Sequence, residues 1–348
     1  MKSKILRGLV MKKIGILTYF GVPNYGAWTQ AYALNHVIKN MISGICKDID
    51  VEHINYLDDF HWEYYYKKDL RLYNSFSYSW NQIPHTKQYS KTDLNTINYD
   101  MIITGSDSIW TLPKEPLKPD YTLIGEGLNA GKICAYAVSA GNADPVELSS
   151  RREVIKGLKK YNTISVRDSN TKELVKKVLG DDFDVAEVLD PALLWDFSRD
   201  EFISIPKYDD YIVVYGIQWN DKFINEAVDF ARRKNLKLIS VGFINNWCDV
   251  NIKMVELRAN EWIGFFSKAT YVITSTFHGL MVGINYKKQI KFCPVEFVGK
   301  RSETLIEKLG IQNSLDFESS IDYDLVLPIL KELQISSLDV IKHIIVDE

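Results

Sequence analysis

The chain has 348 residues and a formal net charge of -3; 46% of its residues are hydrophobic and 25% are charged. This length exceeds a typical single core, so we expect two domains of ordinary size. The composition is that of a soluble globular protein, and the lack of a basic excess argues against a general nucleic-acid-binding protein.

The cysteines and the first ten residues bear on the cellular setting. Four cysteines are scattered without a Cys-x-x-Cys pair, which favours reduced thiols and no structural zinc site. Residues 1–10 combine basic residues with a broken apolar run, and we interpret them as an extension of the fold. No segment approaches the roughly 20 apolar residues of a membrane-spanning helix. We therefore expect a cytoplasmic protein, with any membrane contact peripheral and at the inner face.

Strand and helix patterns alternate in the first half of the chain. Short β-branched runs predict strands, and a longer apolar stretch after the first of them predicts a helix. The predicted strands are 14–18, 100–104, 132–138 and 163–166, and the predicted helix is 27–39. This alternation is typical of a parallel sheet with helices on both faces, where function lies at the carboxyl ends of the strands.

A second series follows a polar stretch at 196–210, which we interpret as an interdomain linker. Its predicted strands are 211–215, 236–241, 271–274 and 289–293, its helices are 223–233 and 279–286, and residues 325–346 form one or two further helices. We thus expect an α/β fold with two Rossmann-like domains, 11–198 and 205–320, and a helical tail over 321–348. Facing strand ends would leave a ligand cleft between the domains.

Residues 56–92 interrupt the alternation because they are crowded with aromatic side chains. These are Tyr56, Phe60, Trp62, Tyr64, Tyr65, Tyr66, Tyr73, Phe76, Tyr78, Trp80 and Tyr89, mixed with Lys67, Lys68 and Arg71. One interpretation is a helical excursion that packs its aromatics on the domain. The other is a platform on which a sugar ring stacks while basic residues meet an anionic carrier. Composition alone does not separate the two.

The corner between the strand at 271–274 and the following helix carries one histidine, His278. The first turn of a helix offers free N–H groups and a positive dipole end, which attract an anion. Ser275 and Thr276 supply capping hydroxyls there. An isolated histidine is usually structural, but this position favours chemistry, because a phosphate bound beside the imidazole would favour its protonation.

A glycine-containing loop at residues 21–26 connects the first strand to the first helix. Its backbone N–H groups could meet a phosphate or a carboxylate. The loop is not a Walker A motif, and G-x-G-x-x-G is absent, so nucleotide binding is not favoured over a tight turn.

Three further strand ends carry polar residues. Asp107 is either a helix cap or a carboxylate that orients or deprotonates a hydroxyl. Arg167 either binds a carboxylate or phosphate or forms a structural Arg–Asp pair. Asp168 is interpreted as the cap of the next helix, and Asp190, before Pro191, as a turn anchor.

An ordered set of short motifs resembles the polysaccharide pyruvyl transferase family over about residues 12–315. The motifs are Asn24-Tyr-Gly-Ala27, Gln30-Ala-Tyr-Ala-Leu34, Gly105-Ser-Asp-Ser-Ile-Trp110, Ala135-Tyr-Ala-Val-Ser139, Ile164-Ser-Val-Arg-Asp168, Val188-Leu-Asp-Pro-Ala-Leu-Leu194 and Ser275-Thr-Phe-His-Gly279. The resemblance implies a GT-B-like fold. It also implies an enzyme that transfers the pyruvyl group of phosphoenolpyruvate to two hydroxyls of a sugar in a surface-polysaccharide or exopolysaccharide precursor, releasing phosphate.

The resemblance also implies roles for individual residues. His278 matches the family histidine and would be the general acid, with Asp107 as a base. The donor would be held by Arg167 of the first domain and by Ser275, Thr276, Gly279, Lys300 and Arg301 of the second. The acceptor or its loop would involve Asn24, Tyr25, Gly26, Ser106 and Trp110 of the first domain. No metal or cofactor is expected, and a lipid-linked saccharide is the favoured acceptor.

Thr276 departs from the family pattern, because members with an Arg-Leu-His motif use arginine at that position to grip the donor. Lys300, Arg301 and Arg167 are the available replacements. Two alternatives remain open: a nucleotide-sugar glycosyltransferase of the same architecture, and a glycan-binding relative without catalysis.

Overall fold

The structure is a computed structural model that describes residues 13–44, 49–66, 69–112 and 119–346. The predicted extension at residues 1–10, Cys46, Lys67 and Lys68 lie outside the described residues, and the side chains of Tyr66 and Lys300 are likewise outside them.

The first half forms a six-stranded, wholly parallel sheet in the order β2-β1-β3-β4-β5-β6. Its strands are β1 (Lys13–Leu17), β2 (Asp50–His53), β3 (Met101–Thr104), β4 (Lys132–Val138), β5 (Thr163–Val166) and β6 (Val185–Glu187). Its helices are α1 (Tyr25–Ser43), α2 (Asp59–Tyr66), α3 (Leu70–Trp80), α4 (Pro145–Ser150), α5 (Arg152–Leu158) and α6 (Ser169–Leu179). The inner strands are buried on both faces, as β-branched runs in a helix-covered sheet require.

The second half forms a five-stranded parallel sheet in the order β11-β10-β7-β8-β9. Its strands are β7 (Tyr211–Tyr215), β8 (Lys237–Gly242), β9 (Val250–Lys253), β10 (Tyr271–Thr274) and β11 (Gln289–Phe292). Its helices are α7 (Asp221–Lys234), α8 (Ala259–Lys268), α9 (Phe277–Asn285) and α10 (Glu296–Leu309), and α11 (Tyr323–Val346) ends the described chain. The prediction of an α/β fold with two Rossmann-like units is confirmed.

Helix α1 joins the two halves, because its first turns pack against the second sheet. The Tyr25 ring stacks on Trp262 with centroids 5.1 Å apart and planes 3° from parallel. Tyr25, Trp28 and Trp262 belong to one buried cluster that also contains Tyr215 of β7. The beginning of α1 is therefore held at the boundary between the domains.

Two C-terminal helices also span that boundary. In α11, Val326 and Leu330 pack in the cluster shared with the second sheet, whereas Ile341 and Ile344 pack on the first sheet. In α10, Lys308 lies 2.9 Å from Glu187 of β6. No helix in the described ranges is long and apolar enough to cross a membrane.

The aromatic segment divides between core and surface. Phe76 and Trp80 of α3 are buried in the cluster shared by the two domains. By contrast, Phe60, Trp62, Tyr64, Tyr73 and Tyr78 are exposed. The packing interpretation therefore describes only part of the segment, and α2 keeps an aromatic outer surface.

Candidate functional site

The candidate site lies where the carboxyl ends of several strands meet the beginning of α9. β1, β3 and β5 lead into the loops that carry Asn24, Asp107 and Arg167. β10 leads into α9, whose second residue is His278. Because α1 and α9 both begin at this edge, residues far apart in sequence come together here.

His278 packs directly on the backbone of Gly26. A Cβ atom built on Gly26 would lie 2.2 Å from His278 Nδ1, closer than nonbonded atoms tolerate. Only glycine therefore leaves room for the imidazole in this position. The Asn-Tyr-Gly motif and the Phe-His-Gly motif thus form one contact across the domain boundary.

Burial favours the neutral form of the His278 imidazole. Its Nε2 atom is buried and has no hydrogen-bond partner among the described residues. Burial lowers the pKa of His278, and the neighbouring Asp107 and Asp190 only partly oppose that effect. A buried nitrogen without a partner inside a cleft is a natural contact for a ligand.

Arg167 is held by two carboxylates. Its Nη1 atom donates to Asp190 Oδ2 at 2.6 Å, and its Nη2 atom donates to Asp107 Oδ1 at 3.1 Å. The guanidinium lies over the Phe277 ring, 4.6 Å from the centroid, and 1% of the Arg167 side chain is exposed. The structural Arg–Asp interpretation therefore describes Arg167, although its partners are Asp107 and Asp190.

Arg301 of α10 reaches the same place from the second domain. Its Nη1 atom donates to Ser108 Oγ at 2.6 Å, and Arg167 Nη2 donates to that oxygen at 2.9 Å. Among the described residues, Arg301 forms no ion pair with a carboxylate; its other bonds go to the Phe297 carbonyl. Burial, reinforced by Arg167, lowers the pKa of Arg301 to about 10. A partly buried cation without a carboxylate partner favours an incoming anion.

Asp107 lies in the left-handed region with φ 81° and bonds Arg167. Burial raises the pKa of Asp107, but Arg167 and His278 outweigh it, so the pKa lies below its usual value. The carboxylate is therefore ionised at neutral pH and weakly basic. That favours a role in orienting groups over the predicted role as a base.

The predicted residues at the start of α9 mostly bond one another. Thr276 Oγ1 accepts from Gly279 N at 3.0 Å, and Ser275 Oγ lies 3.0 Å from both the nitrogen and the oxygen of Ile217. A Cβ on Gly279 would lie 2.1 Å from Thr274 Oγ1. These residues shape the turn that presents His278, and Thr276 is its cap.

Of the predicted first-domain residues, Asn24, Tyr25 and Ser106 lie at the site or the domain boundary, whereas Trp110 lies in the core. Asn24 caps α1 by accepting from Gly26 N at 2.9 Å, and the buried Tyr25 hydroxyl donates to the Leu257 carbonyl at 2.9 Å. The Ser106 hydroxyl lies 2.8 Å from Asp190 Oδ2. Trp110 is completely buried and donates to the Leu123 carbonyl, so its side chain belongs to the core and not to the cleft.

Two site residues were not assigned by the sequence. Ser108 joins the two arginines, and Asp190 binds Arg167 and Ser106 besides capping its own turn through Ala192 N. The Gly-Ser-Asp-Ser motif contains Ser108, and the Asp-Pro pair contains Asp190. Their contacts with the arginines depend on the strand order, which the sequence does not show. The predicted cap Asp168 is confirmed, since its Oδ1 accepts from Thr171 N at 2.8 Å. The Lys300 side chain lies outside the described residues.

The assembled site brings together an imidazole whose pKa is lowered, a guanidinium without an ion pair among the described residues, and the Ser108 hydroxyl. Such a set can bind an anion and exchange a proton with it or with a group attached to it.

Comparisons with known proteins give a family and a fold. The family model described as polysaccharide pyruvyl transferase matches residues 24–290. The chain resembles the UDP-GlcNAc 2-epimerase from Methanocaldococcus jannaschii with a TM-score of 0.51 and 9% identity, covering 92% of each chain. It resembles a putative UDP-N-acetylglucosamine 2-epimerase from Listeria monocytogenes with a TM-score of 0.51 and 10% identity, covering 97% of this chain and 91% of that one. No curated protein sequence matches this chain significantly. The GT-B-like fold is thereby confirmed.

Proposed function

The chain belongs to the polysaccharide pyruvyl transferase family, and we propose that it transfers the pyruvyl group of phosphoenolpyruvate to two hydroxyls of a sugar. The product is a cyclic pyruvate ketal on a surface-polysaccharide or exopolysaccharide precursor, and phosphate is released. Family membership supports a transferase that acts on a saccharide; the donor and the ketal are parts of this proposal.

The observation that carries the proposal is the cationic pair at Ser108. Arg301 and Arg167 converge on Ser108 Oγ, and Arg301 forms no ion pair among the described residues. An anion such as a phosphate ester or a carboxylate satisfies this arrangement with charge-assisted hydrogen bonds. Arg301 also replaces the family arginine that is absent at Thr276, because it supplies a guanidinium to the candidate site from α10.

In the proposed mechanism, His278 moves protons on the donor side. Binding of the donor anion raises the pKa of the imidazole, which then protonates the methylene carbon of phosphoenolpyruvate. The first sugar hydroxyl loses its proton and bonds to the adjacent carbon. Phosphate then leaves, with its charge stabilised by Arg301, and the second hydroxyl closes the ketal as it loses its proton. Two hydroxyl protons are released; the methyl group gains one, and phosphate carries the other.

Product formation tests the proposal. The protein is incubated with phosphoenolpyruvate and a set of lipid-linked and free oligosaccharides, and the products are analysed by mass spectrometry and by phosphate release. We expect a pyruvyl ketal with wild type and a loss of about 10²–10⁴-fold for His278→Asn. His343→Asn, at an exposed position on α11, is the matched control. A His278→Asn protein with the wild-type rate would contradict the assigned role.

The same assay addresses the two alternatives. A nucleotide-sugar glycosyltransferase would release nucleoside diphosphate from a nucleotide-sugar donor and would leave phosphoenolpyruvate intact. A glycan-binding relative without catalysis would bind the saccharides and turn over neither donor. A pyruvylated product eliminates both.

A further inference from the structure

A second group of titratable side chains lies beside the candidate site, at the ends of β1 and β2. His61 of α2 has its Nδ1 atom 2.6 Å from Asp58 Oδ2, and its backbone N–H donates to Asp58 Oδ1 at 2.9 Å. The Tyr19 ring packs against the His61 ring with centroids 4.5 Å apart. Asp58 thus orients His61 from both the backbone and the ring, and Tyr19 limits its rotation.

One face of helix α2 belongs to this group. His61 and Tyr65 are one helical turn apart, so they share a face, and both are half-buried. The other side chains described in α2 are exposed. Tyr65 also packs near Val22 and Ala27, at the loop that leads into α1. The inward face of α2 therefore borders the loop that supports His278.

The group and the candidate site share one edge of the first sheet. β2, β1 and β3 are adjacent, and Asp58, Tyr19 and Asp107 follow them. Two strand spacings amount to about 10 Å, so one saccharide is long enough to contact both groups. Burial raises the pKa of Tyr19, and the charges of both Asp58 and Asp107 add to that effect, so its hydroxyl feels both carboxylates. Burial raises the pKa of Tyr65 to about 12, and Asp107 contributes there too.

His61 is suited to remove a proton. An ionised carboxylate only accepts hydrogen bonds, so Asp58 places the imidazole proton on Nδ1 and leaves the Nε2 lone pair available. Among the described residues, no hydrogen bond occupies Nε2 of His61. The Tyr19 and Tyr65 rings flank His61, with centroids 4.5 and 6.2 Å from its ring, and the exposed part of each ring is an apolar surface for a sugar. Asp107 is bound to Arg167, and its lowered pKa makes its carboxylate a poor base.

We propose that Tyr19, Asp58, His61 and Tyr65 form the acceptor-sugar subsite, and that His61, oriented by Asp58, accepts the proton of an acceptor hydroxyl. The inference rests on the proposed function. In the step concerned, the hydroxyl O–H bond breaks as its oxygen bonds to the donor carbon that bears the phosphate ester. The proton passes to His61 Nε2, while His278 has supplied a proton to the methylene carbon. His61 then releases its proton to solvent, which balances the proton that His278 took up from solvent when the donor bound.

Binding is tested by NMR of protein with ¹³C-labelled histidine. The His61 resonance is assigned through His61→Gln and followed as maltose, lactose and cellobiose are added in turn. We expect the His61 resonance to shift with at least one disaccharide, while the His343 resonance, assigned through His343→Gln, does not move. Saccharide turnover without a shift at His61 overturns the inference and leaves the proposed function standing. A shift at His61 without any pyruvyl product retains the sugar subsite and overturns the proposed function and the proton transfer.

Kinetics test the proton transfer in the pyruvyl assay. We expect His61→Gln to lower kcat by about 10²-fold or more, with the KM for phosphoenolpyruvate unchanged within about twofold. Asp58 is a positioning residue, so Asp58→Asn should lower kcat less than His61→Gln does, again without changing the KM for phosphoenolpyruvate. Asp59→Asn, one residue further along and exposed, is the matched control and should retain the wild-type kcat. An unchanged kcat in His61→Gln would overturn the assignment of His61 as the base.

Discussion

Arg167 and Arg301 donate to the same oxygen, the Ser108 hydroxyl, at 2.9 and 2.6 Å. They come from different domains, and among the residues that the structure describes only Arg167 pairs with carboxylates, those of Asp107 and Asp190. Two cations this close repel each other, and an anion bound at Arg301 would offset that repulsion. The two arginines therefore have different roles: Arg167 maintains the site, and Arg301 is available to a ligand.

Arg301→Gln should weaken anion binding without weakening the fold. The substitution removes a partly buried cation that has no carboxylate partner among the described residues. We expect the KM for phosphoenolpyruvate to rise by about 10–100-fold, since a charge-assisted contact to one anion contributes roughly 1.5–3 kcal/mol. The melting temperature should not fall. Arg232→Gln, an exposed position on α7, is the control. A lower melting temperature with an unchanged KM would contradict this role.

Arg167→Gln should behave in the opposite way. Removing this guanidinium leaves Asp190, which is 2% exposed, without its charged partner. Breaking a buried ion pair from one side typically costs about 3–5 kcal/mol. We expect the free energy of unfolding in urea to fall by that order. A variant with wild-type stability would show that Arg167 is not the structural partner of these carboxylates.

Gly26→Ala should displace His278 without disturbing α1. The added methyl group would lie 2.2 Å from His278 Nδ1, so the imidazole must move. A displacement of about 1 Å can cost about 10²-fold in rate, and we expect kcat for pyruvyl transfer to fall by that order. Gly44→Ala, at the other end of the same helix, has its nearest neighbour at 3.7 Å and should be active. An active Gly26→Ala protein would mean that the position of His278 is not critical.

The pH dependence of anion binding should depend on His278. Its pKa is lowered by burial and by Arg167 and Arg301, while Asp107 and Asp190 raise it. A bound anion favours the imidazolium, so binding takes up a proton and affinity rises as the pH falls toward the depressed pKa. Sulfate is a suitable probe, because its charge is constant between pH 8 and pH 5.

Isothermal titration calorimetry measures this effect. We expect wild-type protein to bind sulfate more tightly at pH 5 than at pH 8, and His278→Asn to lose most of that difference. An equal pH dependence in the two proteins would assign the proton uptake to another group.

Several local features were predictable from sequence because they depend on near neighbours. The predicted strand at 271–274 is β10, and the predicted cap Asp168 begins α6. The aromatic segment was ambiguous for the opposite reason. Its burial depends on what packs against each helix face, so Phe76 is buried in the domain boundary while Phe60 is exposed.

The sequence alone determined the two α/β halves and the presence of His278 at a strand-to-helix corner, since periodicity and capping act over a few residues. Only the tertiary structure decided which groups face His278. The order β2-β1-β3-β4-β5-β6 brings Asp107, Arg167 and Asp190 together, and α10 carries Arg301 across from the other domain. Charge pairing depends on distances between chain segments that lie far apart in sequence. The difference between Arg167, which pairs with carboxylates, and Arg301, which does not among the described residues, therefore depends on how the two domains are arranged.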